Sequence, residues 1–240
     1  MLVEVCANSL ESALNAEKAG ADRIELCSEL AVGGITPSYG LLKTVSEKIS
    51  IPVRVLIRPR SGDFTYSDDE FEIMKSDIKL CSEMGFEGIV IGMLHANFVF
   101  DENRFWELGE MNHGLKTTFH RAFDWVPDPF WGLEWIESMG VDTILTSGQQ
   151  KSAVEGIDLL SELLEKASSS IIMPGAGINA TNANLFKEKG FKAIHLSGVK
   201  MNQRLYEDPK VPMNSPKMLS DDSIPISNFE TIKEVVKSVK

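Results

Sequence analysis

A glycine followed by a short aliphatic run recurs four times along this chain, at intervals of 50 to 65 residues. The glycines that open these runs are Gly20, Gly85, Gly140 and Gly190. Each follows an amphipathic stretch, and glycine is preferred in the left-handed position just past a helix end. We therefore interpret each of these glycines as the end of a helix, after which the chain enters a β-strand.

The intervals between these glycines each hold a second strand-like run. These runs are Val53 to Ile57, Lys116 to His120, and Ile171 to Met173, and Leu2 to Cys6 precedes the first glycine. The count is therefore eight strands, alternating with helices of roughly ten to fifteen residues. This alternation favours parallel strands joined by right-handed crossovers. It predicts an α/β fold, a single (βα)8 TIM barrel formed by residues 1–240.

A doubly wound sheet is the alternative to the barrel. The segment from Gly175 to Ala180 matches the glycine fingerprint of dinucleotide-binding sheets. That fingerprint normally opens the first unit of its fold and has an acidic residue about 20 positions later. Here it lies at the seventh strand, and the corresponding region reads His195 to Lys200. We therefore expect no nucleotide cofactor.

The predicted strands place ionisable and thiol side chains on one face. Successive strand side chains point to opposite sides, so Glu4 and Cys6 share a face, as do Arg23, Glu25 and Cys27. Charges inside a barrel need partners or a water-filled site, and two arginines of the third strand lie on the same face. We interpret these groups as an ion-paired interior that opens on a polar pocket. A purely structural lattice of salt bridges is the alternative.

Small residues lie at the mouth of the predicted barrel, formed by the C-terminal ends of the strands, where the active sites of this fold are found. They follow the seventh and eighth strands and are Gly175, Gly177, Ser197 and Gly198. Backbone amides can approach an anion closely at such residues, and barrels often hold phosphate groups in these two loops. We predict an anion-binding site at these four residues, with tight turns alone as the alternative.

Charge and composition exclude some classes of partner. The formal net charge of −11 provides no basic stripe for a phosphate backbone, so we expect no nucleic-acid partner. No apolar run approaches the roughly 20 residues that span a bilayer, so we expect no membrane partner. The N-terminus lacks the basic region of a signal peptide, and three cysteines form no disulfide framework. These features predict a cytoplasmic protein.

Several stretches of the chain together resemble the CutC family, which is named for a proposed part in copper homeostasis. The stretches are Val3–Cys6, Ala21–Ser28, Gly33–Ser38, Ile57–Arg60, Gly62–Phe64, Thr118–Asp124, Leu145–Gly148 and Met173–Ile178. The resemblance implies a cytoplasmic barrel, homo-oligomeric in some members, with a copper(I) role. It also implies that Cys6 and Cys27 are the copper ligands. The segment from Val199 to Asn228 resembles the family least.

The chemistry of copper(I) agrees with this implication. Copper(I) is a soft ion that prefers thiolate or thioether ligands, commonly at low coordination number. Cys6 and Cys27 each lie two residues after an inward-facing glutamate, on the first two strands, and neighbouring strands run about 4.8 Å apart. We therefore predict that the two thiols face each other at the barrel mouth and bind copper(I). Their alternative role is that of small buried hydrophobic side chains.

An enzyme that acts on a small anionic or phosphorylated metabolite by acid/base chemistry is the alternative function. Its candidate catalytic residues are Glu25 as general base, Arg58 as electrostatic clamp, His120 as general acid and Asp124 as an orienting group. Glu4 could replace Glu25 as the base. A hard divalent ion held by Glu4, Glu25 and His120 is a third interpretation, since oxygen and imidazole ligands suit such metals.

The segment 200–228, which follows the eighth strand, exceeds the usual length of a connecting loop. It carries four prolines, Pro209, Pro212, Pro216 and Pro225. Loops of this length are generally either functional or mobile. Because the segment leaves the last strand, we expect it to lie near the barrel mouth as a lid or an oligomer contact.

Overall fold

Eight parallel strands form the barrel wall in the computed structural model, which describes residues 1–111, 114–207, 209–214 and 221–240. The strands are β1 Leu2–Ala7, β2 Arg23–Leu26, β3 Val53–Leu56, β4 Gly88–Ile91, β5 Lys116–Phe119, β6 Thr143–Thr146, β7 Ile171–Pro174 and β8 Ala193–Leu196. Hydrogen bonds link them in the order β7-β6-β5-β4-β3-β2-β1-β8. The described residues of β7 and β8 lie side by side without forming a ladder, so the barrel is nearly closed. The predicted (βα)8 fold is confirmed.

A helix follows each barrel strand along the chain. The helices are α1 Leu10–Lys18, α2 Tyr39–Lys48, α3 Asp68–Glu83, α4 Glu102–Glu110, α5 Pro129–Ser138, α6 Ile157–Lys166, α7 Ala183–Glu188 and α8 Phe229–Val239. Polar side chains begin several of them, and α3 starts with a capping box between Ser67 and Glu70. The four glycines predicted to end helices all adopt left-handed backbone conformations just past a helix end. No described helix is both long and apolar enough to cross a bilayer.

The principal core lies between the sheet and the helices. Val3 and Val5 of β1 belong to this core and are completely buried. The alternate residue Cys6 instead belongs to a separate apolar cluster inside the barrel, which also contains Cys27 and Leu56. The two faces of the strand therefore serve different environments, as the period-two pattern predicts.

Strand register brings the polar inner side chains level with one another. β1 pairs with β2 so that Cys6 lies opposite Glu25, and it pairs with β8 so that Glu4 lies opposite His195. A slip of one residue would turn these side chains toward the helices. The ladders on both sides of β1 thus position one cluster of ionisable groups inside the barrel.

The segment after β8 begins and ends in an antiparallel strand pair, β9 Val199–Gln203 and β10 Ser223–Ser227. The pair is hydrogen-bonded to the C-terminal end of β1. Asn8 Nδ2 donates to the Pro225 carbonyl at 3.1 Å, and Ser227 Oγ donates to the Cys6 carbonyl at 3.0 Å. No described residue of 199–228 lines the cavity at the mouth. Residues 208 and 215–220 lie outside the described residues, and the lid or oligomer contact stays a prediction.

Candidate functional site

A buried ionic cluster occupies the barrel interior where β1, β2 and β8 meet. Arg23 Nε donates to Glu4 Oε2 at 2.5 Å. His195 Nδ1 lies 2.8 Å from Glu4 Oε1 and 3.3 Å from Glu25 Oε2. Because Glu4 is completely buried, these contacts replace the water that would otherwise solvate its charge. The interior is therefore ion-paired.

Burial and neighbouring charges shift the pKa values of the two carboxylates of this cluster, Glu4 and Glu25, in opposite directions. Burial raises the pKa of Glu4, but Arg23 and His195 outweigh burial and bring the pKa to about 2. Burial also raises the pKa of Glu25 to about 7, against the opposing effect of His195. Burial lowers the pKa of His195, but the two glutamates raise it above its ordinary value. Glu4 is thus ionised at neutral pH, whereas Glu25 exchanges its proton there.

The Sγ atoms of Cys6 and Cys27 face each other 3.4 Å apart. This separation exceeds the roughly 2.05 Å of a disulfide bond, and both residues are free buried thiols. The hydrogen bond with Cys27, burial and the charges of Glu25 and Glu4 raise the pKa of Cys6 well above its usual value. Cys6 is therefore protonated at neutral pH, and a metal must displace that proton to bind it.

The barrel mouth holds a cavity of about 540 Å³, which is large enough for a small metabolite. Six of the residues predicted for the site line it, namely Cys6, Glu25, Arg58, His120, Gly177 and Ser197. The other four, which the structure also describes, lie outside the lining and are Cys27, Asp124, Gly175 and Gly198. The structure therefore brings most of the predicted residues to a common space.

Arg58 brings a positive charge to this cavity without an acidic partner. Its Nη1 donates to the carbonyl oxygens of Val32 and Gly34, both at 2.8 Å, and its Nη2 donates to that of Gly62 at 2.6 Å. The guanidinium also lies over the Phe64 ring, 5.2 Å from its centroid. No described carboxylate is within ion-pair distance of this buried side chain. A buried charge held by carbonyl dipoles favours a negatively charged ligand.

His120 is a neutral hydrogen-bond donor, which revises the predicted role of general acid. Burial and the charge of Arg58 lower its pKa to about 3. Its Nδ1 accepts a hydrogen bond from the Ala122 N–H at 3.1 Å, so this network assigns the ring proton to Nε2. Nε2 is buried and has no partner among the described residues. Gly92 makes room for the ring, because a Cβ there would lie 2.4 Å from His120 Cε1.

Asp124 stabilises the loop after β6 and does not orient a histidine. Its Oδ1 accepts from Thr146 Oγ1 at 2.6 Å and from the Gln149 N–H at 3.2 Å. Its Oδ2 accepts from Ser147 Oγ at 3.0 Å and from Arg121 Nε at 2.8 Å. These donors occupy both carboxylate oxygens, so the structure gives no support to the orienting role predicted from the sequence.

Residues of the loops after β7 and β8 line the cavity at the predicted anion site. Ala176 and Gly177 have left-handed backbone conformations, with φ of 74° and 76°, and line the cavity together with Ser197. The N–H groups of Ala176, Gly177 and Ile178 donate to no other described residue. Gly175 has a different role, since a Cβ there would lie 2.5 Å from a leucine side chain. The anion site stays a prediction, centred on Gly177 and Ser197.

The described residues contain one group of three metal-ligating side chains whose ligand atoms lie within 4.8 Å of one another, namely Cys6, Glu25 and His195. The hard-ion set predicted from the sequence, Glu4, Glu25 and His120, is not brought together. Three strands separate β1 from β5, which His120 follows, and Glu4 is paired with an arginine. The third interpretation from the sequence is therefore wrong in its choice of residues.

His195 is absent from the site residues predicted from the sequence, although the alternation places it on the inner face of the last strand. The signal that could have found it is barrel closure. In an eight-stranded barrel the first and last strands are neighbours, so a polar residue on the inner face of the last strand must meet the first. Here that residue is His195 and its neighbour is Glu4.

Comparison with known proteins identifies relatives over the length of the chain. The model of the CutC family matches residues 1–200. A CutC family protein from Pasteurella multocida is 43% identical over 247 residues, covering 100% of this chain and 99% of the relative. The human copper homeostasis protein cutC homolog is 41% identical, covering 99% of this chain and 90% of the human protein. A crystal structure of CutC from Streptococcus agalactiae superimposes with a TM-score of 0.78 at 35% identity, covering 82% of this chain and 98% of that one.

Proposed function

Because this chain belongs to the CutC family, which includes a human relative named for copper homeostasis, we propose that it binds copper(I) through Cys6 and Cys27 at the barrel mouth. The observation that carries the proposal is the 3.4 Å separation of two free, buried sulfur atoms. Two soft ligands that converge from separate strands suit an ion that accepts low coordination numbers.

The surroundings of the thiols favour a bound cation. Leu56 packs against the sulfur pair, and Cys6 also lines the cavity, through which an ion can reach the thiols. The carboxylates of Glu4 and Glu25 lie nearby and attract positive charge. Because copper(I) displaces thiol protons, its affinity should increase as the pH rises. A reducing cytoplasm would keep both thiols available, and we propose that location for the protein.

Titration of the reduced protein with copper(I) against a calibrated chromophoric chelator tests this proposal. We expect Cys6→Ala and Cys27→Ala each to weaken copper(I) binding by about tenfold or more, since either change leaves one sulfur of the pair. Cys81→Ala is the matched control, because Cys81 is equally buried but lies on α3. A copper(I) affinity that is the same in all three variants would contradict the proposal.

We propose catalysis on a small anionic or phosphorylated metabolite as a second candidate function, which the unpaired charge of Arg58 favours. His120, Ala176 and Gly177 line the cavity together with this cation, and the Nε2 of His120 and the N–H groups of Ala176 and Gly177 have no partner among the described residues. Converging donors of this kind suit the oxygen atoms of a phosphate or carboxylate group. Glu25, with a pKa of about 7, would serve as the general base.

Isothermal titration calorimetry with inorganic phosphate and with a sugar phosphate tests the second candidate. We expect Arg58→Met to weaken binding of the sugar phosphate by about 10- to 100-fold, because a hydrogen bond to a charged group contributes about 1.5 to 3 kcal/mol. Arg204→Met is the control, since Arg204 is half exposed and pairs with Glu11 on the surface. The candidate fails if the wild type binds neither probe, or if Arg58→Met binds the sugar phosphate as tightly as the wild type.

A further inference from the structure

We propose that Cys6, Glu25 and His195 form a second metal site, which takes a divalent ion of intermediate softness such as zinc(II). One ligand atom from each side chain lies within 4.8 Å of the other two. Thiolate sulfur, imidazole nitrogen and carboxylate oxygen are the ligand types of zinc, and three protein ligands leave a fourth position for water or substrate. This site does not rest on the proposed copper site, because it requires neither Cys27 nor copper(I).

Three neighbouring strands hold the ligands of this site. Cys6 on β1 lies opposite Glu25 on β2, and His195 on β8 lies opposite Glu4, two residues earlier on β1. Ligands on hydrogen-bonded strands are held more precisely than ligands on loops. The edges of a tetrahedral zinc site are about 3.6 Å long for bond lengths of roughly 2.0 to 2.3 Å. The ligand atoms of the three side chains lie within 4.8 Å of one another, so small side-chain movements would bring them to these separations.

A further carboxylate orients the histidine. His195 Nδ1 lies 2.8 Å from Glu4 Oε1, which leaves Nε2 available to an ion. Metal-binding histidines commonly donate their other ring N–H to a carboxylate, which fixes the ring and increases its basicity. Arg23 holds the second oxygen of Glu4, so Glu4 is retained as the partner of the histidine. The structure thus contains both the ligands and the group that supports one of them.

The charge balance favours a divalent ion over a monovalent one. A thiolate and a carboxylate carry two negative charges, which an ion of charge 2+ neutralises, while Glu4 and Arg23 neutralise each other. A neutral set avoids the cost of burying an unpaired charge. Cys6, Glu25 and His195 all line the cavity, so a water molecule or a ligand atom can reach the ion.

Cobalt(II) is the probe for this site, because it accepts the same ligands as zinc(II) and absorbs light when a thiolate binds it. We expect the reduced wild-type protein to develop a thiolate-to-cobalt charge-transfer band during titration. His195→Gln and Glu25→Gln should each weaken cobalt(II) binding by more than about 100-fold, since each removes a ligand. Both variants should fold, because glutamine is nearly isosteric with Glu25 and at position 195 it still donates to Glu4.

Two variants separate this site from the copper site. Cys27→Ala should leave cobalt(II) binding unchanged while weakening copper(I) binding, and His195→Gln should do the reverse. The divalent site is overturned if the wild type shows no charge-transfer band, or if the band survives both His195→Gln and Glu25→Gln. It is also overturned if Cys27→Ala weakens cobalt(II) binding as much as His195→Gln does. Loss of copper(I) binding alone would overturn only the proposed copper function.

Discussion

Replacing Arg23 by methionine is expected to lower the free energy of unfolding by about 3 to 5 kcal/mol at neutral pH. Arg23 donates to Glu4, which is completely buried, so the substitution removes the main partner of a buried carboxylate. Methionine retains much of the side-chain volume and is compatible with Met173, whose sulfur lies 3.6 Å from Arg23 Nη2. The loss therefore measures the cost of the uncompensated charge more than the cost of a cavity.

The size of this loss should depend on pH. The pKa of Glu4 is about 2 in the folded chain against an ordinary value of 4.5, so its ionisation contributes stability that is fully present above about 4.5. That contribution, about 3 kcal/mol, disappears as the pH falls from about 4.5 to about 2. Urea unfolding at a series of pH values should therefore show the difference between the wild type and Arg23→Met shrinking across this window.

Arg204→Met provides the matched control for the buried pair. Arg204 pairs with Glu11 where both side chains are about half exposed, and such pairs contribute at most about 1 kcal/mol. If the two variants lose similar amounts of stability, or if the loss in Arg23→Met is independent of pH, the energetic role assigned to the Glu4–Arg23 pair is wrong.

Gly148→Ala should lower the free energy of unfolding by about 3 kcal/mol or more. Gly148 follows β6 with a φ of 69°, and an added Cβ would lie 2.3 Å from the Gly156 carbonyl oxygen. Because the obstacle is backbone, no side-chain rotation relieves the contact, and overpacking of this kind costs about 1 to 3 kcal/mol or more. The left-handed backbone adds about 1 to 2 kcal/mol for a residue with a Cβ. The variant would disturb the loop that Asp124 stabilises.

Gly140→Ala separates the two contributions to this loss. Gly140 has a φ of 72°, close to that of Gly148, but an added Cβ there would meet no atom within 4 Å. It should therefore show only the backbone cost, about 1 to 2 kcal/mol. Urea unfolding of both variants measures the difference, and equal losses would exclude the contact with Gly156 as the cause.

The fold and part of the site could be predicted because their signals are local. The end of a helix is marked by a glycine within the chain itself, as at Gly20 and Gly140, and the strand that follows is a short aliphatic run. The approach of Cys6 to Cys27 also follows from local rules, because alternation sets the face and sequential strands are neighbours.

The remaining features depend on contacts that no local pattern specifies. His195 lies 191 residues from Glu4, and the two meet only when the first and last strands pair. The neutral state of His120 follows from its burial and from the charge of Arg58, which lies 62 residues earlier in the chain and lowers the pKa of the ring. Arg58 donates to carbonyl oxygens of two loops. The alternation of strand side chains places Arg58 on the inner face but does not distinguish these partners from an inner glutamate.

The two strands that run side by side without a ladder, β7 and β8, are also the two whose following loops bring Gly177 and Ser197 to the cavity. An anion held between these loops would connect β7 and β8, which are the only neighbouring strands of the described barrel wall that no backbone ladder joins. A bound anion would then stabilise the barrel wall. In the absence of the anion, the wall would be least stable between β7 and β8, beside the anion site.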